Sequence, residues 1–174
     1  MRGGLTLVLG GARSGKSRHA ESLVRATGPG PWAYIATAEA YDDEMRARIA
    51  QHRADRDATG PGGWRTVEAP LDLAGAIAAL PPAQPLLVDC LTLWLTNLML
   101  GGGDIPAAVA ALESVLAARP GLAVLVANEV GLGIVPDNAL ARAFRDEAGR
   151  LNQRLASRAD RVLFIVAGLP LVVK

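Results

Sequence analysis

Apolar residues recur along this chain in two rhythms. Leu5-Thr6-Leu7-Val8-Leu9 is a short apolar run bounded by glycines, which predicts a buried strand. From Ser14 to Ala26, Ala20, Leu23 and Val24 recur at helical spacing before a Gly28-Pro29-Gly30-Pro31 stop. The alternation then repeats. Strands are predicted over Trp32–Thr37, Trp64–Glu68, Leu86–Cys90, Leu122–Ala127 and Val162–Val166, with Leu169–Val173 as a terminal hairpin partner. Helices are predicted over Asp42–Asp57, Leu71–Leu80, Leu91–Leu100, Ile105–Arg119 and Ala139–Arg158. Strands and helices in turn throughout imply an α/β fold with a mainly parallel central sheet flanked by helices, in a single domain spanning residues 1–174.

Composition narrows the class. Hydrophobic residues are 51% of the 174 and charged residues 20%, which excludes a disordered chain. The net charge of +1 offers no bulk attraction to nucleic acid or to an anionic membrane. One cysteine, Cys90, excludes an internal disulfide. The apolar run Leu86–Leu100 is broken by Asp89, Thr92, Thr96 and Asn97 and is shorter than the ~20 residues of a spanning helix. The apolar run at the start stops at Gly10-Gly11, too early for a signal peptide. A soluble, cytoplasmic protein without a membrane span is expected.

The chemistry begins at Gly10-Gly11-Ala12-Arg13-Ser14-Gly15-Lys16-Ser17, a gapless G-x-x-x-x-G-K-[ST] between a predicted strand and a predicted helix. Glycines let backbone N–H groups wrap a phosphate, and the helix N-terminus adds partial positive charge. Lys16 is placed to reach the β- and γ-phosphates and the Ser17 hydroxyl to ligate Mg²⁺. A nucleoside triphosphate site also calls for an acid at another strand end to hold the metal shell, and Asp89 fits that place. A strand-end cap or salt bridge is its ordinary alternative. Cys90 has nothing nearby in sequence to activate it and reads as a small buried residue.

Met45, Ile49, His52 and Arg56 share one face of the Asp42–Asp57 helix. Arg46, Arg48, Arg53 and Arg56 concentrate positive charge around His52, which suits a phosphate-rich ligand and favours a neutral, nucleophilic imidazole. Spacing alone nevertheless favours a surface histidine that packs or binds phosphate electrostatically. His19, one turn into the loop helix, reads as a capping or contact residue.

Five stretches together resemble the bifunctional adenosylcobinamide kinase / adenosylcobinamide-phosphate guanylyltransferase family. They are GGARSGKSRHAE (Gly10–Glu21), YIATAEAYDDEMRARIAQHRADR (Tyr34–Arg56), WRTVEAP (Trp64–Pro70), LLVDCLTLWLTNLM (Leu86–Met99) and NEVGLGIVPDNALARAFRDEAGRLNQRLA (Asn128–Ala156). The loop is shared with many families, whereas NEVGLGIVP with its downstream helix is far more specific. The resemblance implies a RecA-like P-loop fold, a homotrimer, and two reactions. ATP or GTP phosphorylates adenosylcobinamide; GMP is then transferred from GTP to adenosylcobinamide-phosphate through a guanylyl-histidine, releasing pyrophosphate. The matching histidine is His52; some members carry adjacent histidines there, and this chain has Gln51. The resemblance thereby favours the nucleophile over the surface residue. It also implies nucleotide contacts from Gly10 to Ser17, from Thr37, Ala38 and Glu39, from Arg53, Ala54, Asp55 and Arg56, and from Glu68 and Asp89. Asn128 and Glu129 fall where the cobinamide hydroxyl or Mg²⁺ is met, or where a loop is stabilised. Apolar residues of the Leu91–Leu100 helix belong either to an oligomer contact or to the core.

Three other readings compete. A single-step small-molecule kinase needs only the same loop. A regulatory GTP switch carries N-K-x-D, which this sequence lacks, and its D-x-x-G match, Asp57–Gly60, follows a basic helix instead of a strand. A nucleotide-binding assembly module would show no turnover.

Overall fold

The computed structural model describes residues 3–39 and 62–174. The predicted helix Asp42–Asp57, with His52 and Arg53 to Arg56, lies outside the described residues. Among the described residues seven strands form one sheet: β1 (Leu5–Gly10), β2 (Trp32–Ala36), β3 (Trp64–Glu68), β4 (Leu86–Asp89), β5 (Ala123–Asn128), β6 (Arg161–Val166) and β7 (Leu169–Val172). The helices are α1 (Lys16–Arg25), α2 (Leu73–Ala78), α3 (Leu91–Leu100), α4 (Ile105–Ala117) and α5 (Ala139–Arg158). Among the described residues the alternation holds, with ends shifted by at most two residues.

The strand order is β3-β2-β4-β5-β1-β6-β7. Six strands run parallel and β7 returns antiparallel on β6, as the terminal hairpin predicted. Helix starts follow local chemistry. Asp72, Asp104 and Asn138 cap α2, α4 and α5 by accepting the N–H groups of Gly75 (2.9 Å), Ala107 (2.9 Å) and Ala141 (2.7 Å). Pro106 sits in the first turn of α4, where its missing N–H costs nothing. The start of α1 has no side-chain cap; Gly15 precedes it with φ 92°, a left-handed conformation that glycine adopts freely.

Two apolar layers sandwich the sheet. On one face Leu7, Ile35, Val88 and Leu125 pack with Ile77, Leu95, Leu112 and Leu155 of α2 to α5. On the other, Val8, Leu87, Val126 and Ile165 pack with Ala20 and Val24 of α1 and with Tyr34. Each fully buried Leu or Ile contributes roughly 1.5–3 kcal/mol, so this double burial holds the strand ends in register. The same packing decides α3. Leu91, Trp94, Leu95 and Leu98 are buried and only Leu100 at its end is exposed. Its buried apolar residues therefore belong to the core: a helix apolar all round is one covered on several sides.

Candidate active site

Every described residue expected at the site lies at the carboxyl end of a strand, where open parallel sheets bind ligands. The phosphate loop follows β1, Thr37-Ala38-Glu39 follows β2, Glu68 ends β3, Asp89 ends β4, and Asn128-Glu129 closes β5. β5 separates β4 from β1, so Asp89 and the loop stand about 10 Å apart at two inter-strand spacings. Side chains alternate along a strand. Since Val8, Leu87 and Val126 face α1, Gly10, Asp89 and Asn128 project to that same face.

The loop is braced from both sides. Glu129 donates its N–H to the Gly10 carbonyl (3.1 Å), and Gly168 in the β6–β7 turn donates to the Ser14 carbonyl (2.9 Å). A Cβ on Gly10 would stand 2.6 Å from Ser14 Oγ and 2.8 Å from the Ile165 carbonyl, so the first loop position accepts glycine alone. Lys16 Nζ donates to the Gly11 carbonyl at 3.1 Å, which holds the ammonium over the loop. Ser14 Oγ is buried without a hydrogen-bond partner.

Around the loop the other residues divide by what they touch. Tyr34 donates its hydroxyl to Asp89 Oδ2 at 3.0 Å, which orients that carboxylate. Thr37 is fully buried; its Oγ1 donates to the Cys90 carbonyl (2.7 Å) and accepts the Cys90 N–H (2.9 Å). Asn97 Nδ2 donates to the Thr37 carbonyl at 2.9 Å. Thr37 thus ties the end of β2 to the start of α3. Cys90 stands at the N-cap position of α3, with no side-chain capping hydrogen bond, and is buried as expected. Burial, aided by the Asp89 charge, pushes its thiol up to about 11, which leaves it protonated and unreactive at neutral pH. His19 Nε2 is buried without a partner. Among the described residues no group of three or more His, Cys, Asp or Glu gathers as a metal cluster.

A loop that binds nucleotide does not name its reaction. The family model for cobinamide kinase / cobinamide phosphate guanyltransferase matches residues 6–173. The chain belongs to this family. Two curated relatives extend across it. The bifunctional adenosylcobalamin biosynthesis protein CobP of Pseudomonas aeruginosa is 52% identical over 173 residues, covering 97% of this chain and 96% of that one. The protein of the same description, CobU, of Salmonella typhimurium is 47% identical, covering 98% and 99%. Among solved structures, the flagellar accessory protein FlaH from Methanocaldococcus jannaschii superposes with a TM-score of 0.56 at 10% identity, covering 99% of this chain and 79% of that one. That likeness bears on fold alone, and the fold is the RecA-like P-loop fold that the resemblance implied.

Membership of a bifunctional kinase and guanyltransferase family agrees with the two-reaction expectation drawn from the five stretches. Sequence reasoning missed the bracing of the loop by Gly168, because β6–β7 reaches it only through the strand order. It also missed the Thr37–Cys90 pair, which no spacing rule reveals.

Proposed function

We propose that this protein phosphorylates adenosylcobinamide with ATP or GTP and then transfers GMP from GTP to adenosylcobinamide-phosphate. The observation that carries this reading is the phosphate loop set at the strand ends beside Asp89 in a chain of this family. The loop N–H groups and Lys16 bind the triphosphate and stabilise charge on the departing group. Thr37, Ala38, Glu39 and Glu68, at neighbouring strand ends, continue the nucleotide site, with Thr37 acting by position because its hydroxyl is committed to Cys90. Arg53, Ala54, Asp55 and Arg56 complete it beside His52.

Ser17, in the first turn of α1, and Asp89 would hold Mg²⁺. Two protein oxygens suit a cation whose remaining positions are filled by phosphates and water, and Asp89 is already oriented by Tyr34. When bound, Mg²⁺ neutralises charge on the phosphates.

In guanylyl transfer an imidazole nitrogen of His52 attacks the α-phosphorus of GTP. The N–P bond forms, the bond to the β-phosphate oxygen breaks, and pyrophosphate leaves. A phosphate oxygen of adenosylcobinamide-phosphate then attacks the same phosphorus; the N–P bond breaks, and adenosylcobinamide-GDP forms with His52 restored. Two in-line displacements retain configuration at phosphorus.

A homotrimer in the cytoplasm completes the reading. It is supported by β7, an edge strand with Leu169, Leu171 and Val172 exposed, and by Leu132, Ile134 and Val135 exposed after β5. No helix among the described residues is long and apolar enough to cross a membrane.

Mass spectrometry after GTP treatment tests the mechanism. The expected result is GMP on His52, with His52→Ala losing the adduct and guanylyl transfer while keeping most of the kinase rate. Full transferase activity in His52→Ala excludes the assignment.

A further inference from the structure

The described residues include one polar side chain at the strand ends that neither the phosphate loop nor the guanylyl step uses. Asn128 ends β5 directly opposite Gly10, the first loop residue, in the parallel pairing of β1 and β5. It faces α1, on the same side of the sheet as Asp89 and between the two strands that carry the loop and the acid. Its backbone is fully committed. The N–H donates to Thr92 Oγ1 at 2.7 Å, and the carbonyl accepts from Asn152 Nδ2 at 3.5 Å. Glu129 next to it donates to Gly10. Three elements, α3, α5 and β1, thus fix where Asn128 stands. Yet its side-chain Oδ1 is buried with no hydrogen-bond partner. A buried amide oxygen without a donor is costly, and a fold that pins the residue so firmly while leaving this oxygen free holds it for a donor that arrives with a ligand.

The candidates for that donor differ in chemistry. Nucleotide phosphates carry no donors at neutral pH, so the oxygen does not serve to bind them. The attacking group of the kinase step is a hydroxyl, which does donate. We propose that Asn128 Oδ1 accepts the hydrogen bond of the corrinoid's acceptor hydroxyl and so aims its lone pair at the γ-phosphorus. The inference rests on the proposed kinase reading of the loop. An amide oxygen is not a base at neutral pH, so Asn128 orients and does not deprotonate. The hydroxyl oxygen forms its bond to the γ-phosphorus as the bond to the β-phosphate oxygen breaks and the nucleoside diphosphate leaves. The hydroxyl proton passes to a non-bridging oxygen of the transferred phosphoryl group, consistent with a loose transition state in which little proton transfer is required early.

The two activities supply the control. In Asn128→Ala the single-turnover kinase rate with free corrinoid is expected to fall by about 100-fold, the usual scale for a lost orienting contact. Guanylyl transfer to pre-phosphorylated corrinoid, which no longer has that hydroxyl, and the Kd for Mg²⁺-nucleotide are expected to stay within about 3-fold, because neither uses the orienting contact. An undiminished kinase rate, an equal loss in both reactions, or a weakened nucleotide Kd overturns the proposal. The retained transferase reports that the variant is folded; if Asn128→Ala does not fold, Asn128→Ser removes the amide with less loss of volume and is read by the same three measurements. Lys16→Ala run in parallel separates the two failures. If it leaves the kinase intact, the loop reading itself is wrong; if it abolishes the kinase while Asn128→Ala does not affect it, only the Asn128 assignment is wrong.

Discussion

At the amino-terminal ends of β1, β5 and β6 lies a cavity of about 420 Å³ lined by Leu5, Glu113, Arg119, Arg158 and Asp160. At the carboxyl ends of the same strands lies the phosphate loop. Both edges are rich in polar atoms, and the cavity at the first is sizeable, but the two edges use their polar atoms differently. Below the sheet they bind one another. Arg154 meets Glu113 through two hydrogen bonds, at 2.8 and 3.0 Å, and Arg158 adds a contact at 3.4 Å. Arg119 donates to the carbonyls of Ile77, Pro81 and Gln84, and Asp160 Oδ2 accepts the Leu5 N–H. Arg119 Nε and Gln84 Oε1 are left buried and unpaired. Above the sheet Lys16 rests on its own loop, and Ser14 Oγ in the loop and Asn128 Oδ1 at the end of β5 are each left unpaired. Cavity size points to the first edge, whereas the phosphate-loop motif lies at the second.

The contrast breaks most visibly at Lys16. Lys16→Ala is expected to lower both kinase and guanylyl-transfer rates by at least about 100-fold while leaving the melting temperature unchanged within a degree or two, because its one hydrogen bond is exposed. Normal rates in steady-state assays would remove the loop from the mechanism.

At the opposite edge the effect should invert, with stability lost and activity kept. The hydrogen bond from Arg154, reinforced by the charges of Arg154 and Arg158, holds the Glu113 carboxyl below its ordinary value of 4.5 despite burial. A depressed pKa stabilises the fold above that ordinary value, and the contribution is lost as pH falls through the folded-state value. Glu113→Gln is therefore expected to lower stability by about 1–2 kcal/mol at pH 7, several degrees in melting temperature, with the difference from wild type shrinking below pH 4.5. Thermal melts across pH 3–7 check the sign; a gap that widens in acid contradicts the assignment.

Much of this was legible beforehand. The loop between a β-branched strand and a helix, the acid at the end of β4 and the antiparallel finish at Leu169 all follow from local pattern, because each depends on neighbours within a few residues. Strand order was not legible. Nothing in Leu5–Gly10 says that its partners are Ala123–Asn128 and Arg161–Val166. For the same reason the orphaned oxygen of Asn128, the Gly168 brace and the Arg119 clamp emerge only when distant segments meet. The Leu91–Leu100 helix was ambiguous because apolar composition cannot distinguish burial in the core from burial in an interface. His52 and Arg53 to Arg56 fall outside the described residues, so their place rests on the family.

The smallest effect sharpens the comparison from within the active edge. Cys90 adjoins Asp89, yet burial keeps its thiol near 11. Cys90→Ala should change both rates by less than about 2-fold and cost at most ~1 kcal/mol. Alkylation of native protein at pH 8 should be slow and become fast only on unfolding. Rapid labelling with loss of activity would bring the thiol into the chemistry.

The strand order also carries a consequence for biogenesis. β1 is made before either of its sheet neighbours, β5 and β6. The phosphate loop cannot be braced until Glu129 and Gly168 have left the ribosome. A nascent chain therefore carries its nucleotide-binding motif in an unassembled state until those segments emerge, and must bridge sequence separations of more than a hundred residues to complete it, which is the kind of contact that slows folding. Competence to consume nucleotide therefore waits for the β6–β7 hairpin that carries Gly168.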